Sequence, residues 1–303
     1  MESVLILEMA GIRVKLDPID AVSADFLRAN LRDFIVPEDA LTAADAALAD
    51  AGERRQARGA PDDVLLHVSV AHTPDDRAAP SSDVDVSAPA PSIRVVRRVD
   101  IEGTIDLSRN QGSIVYSGGG PSLLSCLRVF CSLTLAANGG VLMHASSVVS
   151  GGRAFLFVGP SGTGKTTIAR LGAPRGVLSD EISAVRWRDG RPWCFPTPFW
   201  GEMERVKVAE ATPLGCVFFP KQSREVAIFP SPFPDSLARL LHCAVYFGSD
   251  HGLENQLIET CIAIVRSFHC KELRFKEEPS FWRTLDEVQD YTREQDEARV
   301  ESV

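Results

Sequence analysis

An α/β fold, with a core of mixed sheet and flanking helices behind a smaller α+β N-terminal domain, is what the 303-residue sequence predicts. Three observations carry this reading. The stretch Gly159-Pro160-Ser161-Gly162-Thr163-Gly164-Lys165-Thr166 has the P-loop form G-x-x-x-x-G-K-[ST], with the apolar, strand-like run Arg153 to Val158 before it and a helical pattern from Thr167 onward. Two favoured two-residue turns, Gly151-Gly152 and Asp189-Gly190, lie between runs of β character, so hairpins flank the loop on either side in sequence. The first 118 residues alternate short β runs with one amphipathic helix. The expected domains are therefore 1–118 and 119–303.

Composition narrows the classes of partner. The 45% hydrophobic share is that of an ordinary globular chain, and a net charge of −9 argues against a nucleic-acid or anionic-membrane surface. The N-terminus lacks the basic start and long apolar run of a signal peptide, and no later run reads as a membrane helix. Cytoplasmic residence is the expectation. The seven cysteines are scattered, without a C-x-x-C pair, and read as buried reduced thiols rather than disulfides or a zinc site.

In chain order, Val4–Met9 and Ile12–Leu16 read as strands turning at Gly11, and Asp20–Phe34 as a helix with Val22, Phe26, Leu27, Leu31 and Phe34 on its apolar face. The Ala-rich run 38–58 favours helix by propensity. Strands follow at Asp63–Val70, at Ile93–Ile105 as a pair separated near Glu102-Gly103, and at Ser113–Tyr116. Between the first two, residues 71–92 hold four prolines and few large apolar residues, and read as a disordered loop. The run Ser117 to Pro121 reads as a hinge, and Ser122–Ala137 as a strongly apolar helix buried between the two halves. Beyond the hairpins come strands at Leu214–Pro220 and Glu225–Phe229, helices at Ser236–Tyr246 and Leu253–Phe268, a strand at Cys270–Phe275 and a closing helix at Pro279–Tyr291. His242, His251 and His269 share no metal-ligand spacing, and the four tryptophans read as packing.

The motif and the hairpins together suggest a site. Backbone N–H groups of the stretch Gly159 to Thr167, all but that of Pro160, which has none, can cradle phosphate, Lys165 can reach the terminal phosphates, and the Thr166 hydroxyl can take Mg²⁺. If Gly151-Gly152 are the loop residues, Ser150 pairs with Arg153 and His144 stands opposite Gly159. There an imidazole can contact a phosphate or a carboxylate, or simply close a strand end. Asp180-Glu181 ends an apolar run one helix and one strand after the loop, where a metal-holding carboxylate is expected, on a strand adjacent to that of the P-loop. The Asp189-Gly190 register sets Asp180 opposite Phe199 and brings Trp200-Gly201-Glu202 to the same end, which makes Glu202 a third candidate acid. Which of Asp180, Glu181 and Glu202 binds metal is left open.

The order His144-Ala145-Ser146, hairpin, P-loop, single helix, Leu178-Ser179-Asp180-Glu181 resembles the HPr kinase/phosphorylase group of the PEP-carboxykinase-like P-loop superfamily. The tail, Glu272-Leu273-Arg274-Phe275 with Pro279-Ser280-Phe281-Trp282, is similar to that of smaller HPr-kinase-like proteins, some of which accompany peptide-modification gene clusters. The resemblance covers roughly residues 120–290. It implies a Mg²⁺- and ATP-dependent kinase that phosphorylates a serine or other hydroxyl of a peptide or small molecule, with Asp180 as base positioned with His144 and with Lys165 on the phosphates. Thr166, Glu181 and Glu202 are the candidate metal ligands, and a homo-oligomer fits the group's habit. Glu181 stands where the group has a second Asp, and Pro198-Phe199-Trp200-Gly201-Glu202 replaces its long signature, so HPr itself is not the expected substrate. A nucleotide-binding regulatory or scaffold protein without transfer is the alternative, whereas the absence of an N-K-x-D motif argues against a GTPase.

Overall fold

The computed structural model describes residues 3–37, 64–73, 84–172, 174–203, 210–248, 251–268 and 270–287. Among these residues the chain is mixed α/β, with two eight-stranded mixed sheets. It divides into two compact units, Met1–Leu142 with Val245–Ile258 and Met143–Ala244 with Glu259–Val303. The expected helix at 38–58 lies outside the described residues.

In the first unit, β1 (Ser3–Met9) and β2 (Ile12–Ile19) form the expected hairpin, with Ala10 and Gly11 at φ of 53° and 72°. Helix α1 (Ala21–Leu31) starts at Asp20, whose carboxylate accepts the Ser23 N–H, and a 3₁₀ turn (Arg32–Phe34) leads into β3 (Ile35–Val36). Its inner face is Ala24, Leu27 and Leu31; Val22, expected inside, is 68% exposed because it lies on the opposite side of the first turn. Strand β4 (Val64–His72) runs parallel to β2 and to β8 (Gln111–Tyr116). The sheet order is β3-β1-β2-β4-β8-β7-β6-β5.

Two sequence expectations change here. Part of the loop expected at 71–92 is strand: β4 continues to His72, and β5 (Asp85–Ser87) pairs with β6 (Ile93–Arg98). Alternating Val84 and Val86 give that segment enough β character for an edge strand, while residues 74–83 lie outside the described set. The turn between β6 and β7 (Ile101–Asp106) falls at Val99-Asp100 rather than at Glu102-Gly103. The Asp100 carboxylate fixes it, accepting from Arg98 Nε at 2.6 Å and Nη2 at 2.9 Å and from the Ser122 hydroxyl. Gly103 is needed inside β7, because a Cβ there would meet Cys126 Sγ at 2.8 Å.

Helix α2 (Gly120–Ala137) packs on β7, β8 and β2 and belongs to the first unit, so the division falls within β9 (Gly140–Ser150) rather than after residue 118. Contrary to the sequence reading, it is long and apolar enough to cross a membrane by length and composition alone; 67% of it is buried in the fold. All seven cysteines are free and buried, as expected.

The second unit is organised around β10 (Arg153–Val158). The hairpin register expected from Gly151-Gly152 is the one observed, from Ser150 opposite Arg153 to Ala145 opposite Val158. After the loop come α3 (Lys165–Leu171), β11 (Gly176–Ser179), β12 (Ile182–Arg188) and β13 (Arg191–Phe195). The β12–β13 hairpin turns at Asp189-Gly190 in the expected register, with Ala184 opposite Phe195. β11, however, pairs with β9 rather than with β10, because the tight hairpin already occupies that flank of β10.

On its other flank β10 runs parallel to β14 (Thr212–Gln222), and β14 runs parallel to β16 (Lys271–Phe275), which pairs antiparallel with β15 (Ala227–Pro230). The carboxyl ends of three parallel strands thus gather where the P-loop leaves β10. Ligands of open α/β sheets bind at such ends. Helix α4 (Phe233–Cys243) packs on β10, α5 (His251–Ser267) follows it, and residues 281–287 form α6; residues 279–280 of the expected closing helix are a turn, and 288–291 lie outside the described residues. Beneath α3, Phe155 and Phe157 of β10 meet Trp282, with ring centroids 6.4 and 5.8 Å apart, and Phe218, Phe275 and Phe281 complete the core. That cluster fixes the position of the loop from below.

Candidate functional site

The P-loop begins as β10 ends. Gly162 and Gly164 take φ of 83° and 95°, values that a side chain strains. At Gly164 space forbids one as well, since a Cβ would stand 2.5 Å from Phe275 Cζ. The Pro160 carbonyl braces the turn, accepting from Thr163 Oγ1 at 2.9 Å and from Lys165 Nζ at 2.9 Å. Lys165 is buried, and burial pulls its ammonium below the ordinary lysine value against the opposing pull of Cys243 and Glu181. Thr166 and Thr167 are half-buried in the first turn of α3.

His144 stands where the register puts it, and its carbonyl accepts the Gly159 N–H at 3.4 Å. Its Nε2 is 3.8 Å from Glu181 Oε1. The Ala145 N–H donates to the Glu181 carbonyl at 2.9 Å, which ties the acid's backbone to the strand carrying the imidazole. An acid–imidazole pair therefore sits on the β9 side of β10, with Glu181 in electrostatic reach of Lys165.

The two neighbouring acids part company. Ser179 Oγ accepts the N–H of Glu181 at 3.3 Å and of Ile182 at 3.1 Å, so the chain turns between β11 and β12. Asp180 is then fully buried: its Oδ1 accepts the Gly201 N–H at 2.9 Å and its Oδ2 the Met203 N–H at 3.0 Å. A Cβ on Gly201 would meet Glu181 Oε2 at 2.8 Å and Asp180 Oδ2 at 3.1 Å, so the glycine allows the loop to pack against both acids. The expectation that Asp180 faces His144 is not what the structure shows; Glu181 occupies that place, and Asp180 clamps the 200–203 loop.

Glu202 is exposed in that loop, whereas Asp180 is buried beneath it. No three His, Cys, Asp or Glu side chains among the described residues come together as a metal cluster. The donors present still suit Mg²⁺, a hard cation that typically binds through one or two carboxylates, substrate phosphates and water rather than in an all-protein cage. Two buried polar atoms near this site lack partners, Ser146 Oγ, two residues along β9 from His144, and Trp200 Nε1 in the clamped loop.

What the sequence did not single out is the other flank. Helix α4 brings Arg239, His242 and Cys243 toward Gly159 and Pro160, with Phe219, Lys221 and Glu272 from the parallel strands. His242, read from sequence as a surface or core histidine, is exposed here. No motif marks this set, since its members come from three separate elements. In comparisons with known proteins, no family model and no curated protein matches the chain.

Proposed function

We propose that the chain is an ATP-dependent phosphotransferase of the HPr-kinase-like kind, acting on a hydroxyl of a peptide serine or small molecule. The observation that supports this most is the Glu181–His144 pair beside the P-loop and its buried lysine. A phosphate cradle alone accounts for binding; an acid–imidazole pair on its flank can also take a proton. Lys165 would leave the Pro160 carbonyl for the terminal phosphates, and the N–H groups of residues 161–167 would hold the rest.

In this reading Glu181, oriented by His144, accepts the proton of the acceptor hydroxyl as its oxygen bonds to the γ-phosphorus. The bond from that phosphorus to the β,γ-bridging oxygen breaks, and ADP departs with the electron pair. Bound Mg²⁺ would neutralise charge on the phosphates, held by them, by the Thr166 hydroxyl and by Glu202, an exposed carboxylate of the loop that Asp180 clamps. Asp180 has a positioning role: it fixes the loop that packs against Glu181.

A second reading, nucleotide binding without transfer, is favoured by the engagement of both Asp180 oxygens in backbone bonds. Calorimetric titration with Mg²⁺·ATP, followed by a mass search for phosphorylated peptides or metabolites encoded beside the gene, separates the two. Wild type should bind ATP and Lys165→Ala should not. Wild-type protein that fails to bind sinks both readings, and binding without any phosphoryl transfer leaves the second.

A further inference from the structure

Resting on the P-loop reading, we propose that the cavity between the P-loop and helix α4 receives the nucleoside part of the nucleotide. Its volume, about 410 Å³, lies within the range of small-molecule pockets, and the start of the P-loop forms one wall. The two flanks of β10 are differently furnished. His144 and Glu181 reach the loop from β9 and from the turn before β12, on one flank of β10. The cavity lies on the opposite flank, among β14, β16 and α4. A nucleotide whose terminal phosphate faces the pair that takes the proton extends its other end across the loop, toward the cavity.

The lining suits a base and a ribose. Ala238 offers apolar surface, and the exposed Arg239, whose guanidinium carbon lies 5.0 Å from the centroid of the buried Phe219 ring, can turn its other face to an aromatic base. Glu272 accepts from Arg239 Nη2 at 3.4 Å on one oxygen and from Arg274 Nε at 3.2 Å on the other. A carboxylate has about four acceptor positions, so it retains capacity for the ribose hydroxyls. Burial pushes the Glu272 carboxyl up, but the bonds from Arg274 and Arg239 outweigh it and hold it below the usual range, so it is an acceptor at neutral pH. Lys221, also on this wall, is placed to meet the phosphate nearest the nucleoside.

Inorganic tripolyphosphate separates this inference from the reading beneath it, because it carries the phosphates and lacks the nucleoside. Both ligands, with Mg²⁺, are titrated into wild type and into Ala238→Trp, which fills the cavity from an exposed helix position. Wild type should bind ATP about tenfold or more tighter than tripolyphosphate, and in Ala238→Trp the two affinities should become equal through loss of ATP affinity alone. A wild-type ratio near one, or an undiminished ratio in Ala238→Trp, overturns the nucleoside assignment and leaves the P-loop reading standing. Failure of wild type to bind either ligand overturns the P-loop reading itself. Should the tryptophan variant not fold, Ala238→Leu is read in the same way.

Discussion

Replacing Asp180 by Asn distinguishes a clamp from a chemical base by an observable that catalysis does not touch. As a clamp, the carboxylate accepts two backbone N–H groups, one per oxygen, in a fully buried setting. Asn keeps one oxygen but turns an NH₂ toward the second N–H, so one bond is lost and two donors face each other. An unsatisfied buried donor costs about 1–3 kcal/mol, which puts Asp180→Asn near 2–3 kcal/mol. For a unit of this size that is a fall in Tm of roughly 4–12 °C, read by calorimetry without nucleotide. Glu181→Gln is the control, since Glu181 is 39% exposed and should melt close to wild type. If Asp180→Asn melts within about 1 °C of wild type yet loses transfer, the clamp is wrong and Asp180 belongs to the chemistry.

The other expectations concern both units. Glu181→Gln should retain ATP binding and lose transfer by about 10²–10⁴-fold, the usual weight of a general base, measured as phosphoryl incorporation under single-turnover conditions; undiminished turnover removes Glu181 from the mechanism. In the first unit, the hydrogen bond from Arg98 holds the Asp100 carboxyl below the usual carboxylate range, overcoming the burial that raises it, with help from Ser122. Asp100 binds its proton less readily folded than unfolded. Its contribution to stability is therefore full above the unfolded value of about 4 and is lost as pH falls through the lower folded value. Urea melts of wild type and Asp100→Asn should converge as pH drops from neutrality toward 3, and parallel curves would refute this.

How far the site was legible depends on whether geometry was local. Both hairpins were, because a two-residue turn fixes register at once; His144 opposite Gly159 and Ala184 opposite Phe195 follow from Gly151-Gly152 and Asp189-Gly190. The partner of β11 was not, because strand order depends on which flank of β10 is already taken, a non-local matter. The β5 edge strand escaped notice because two valines among aspartates, serines and prolines satisfy a ladder without altering composition.

The roles of Asp180 and Glu181 show the limit most sharply. The sequence establishes that two acids follow a strand near a P-loop, but residue type does not reveal which one turns inward. That choice is made by the Ser179 hydroxyl, which accepts two successive N–H groups and bends the chain between them and β11. It is completed by Gly201, where any side chain would strike Glu181 and Asp180 together. With a turn and a glycine in those places, the shorter acid reaches the backbone of the 200–203 loop and the longer one reaches His144. An Asp at position 181, one methylene shorter, would stand farther from the imidazole unless the turn moved. The Glu at that position is thus consistent with a site in which the clamp sits deeper and the acid facing the loop must span the difference.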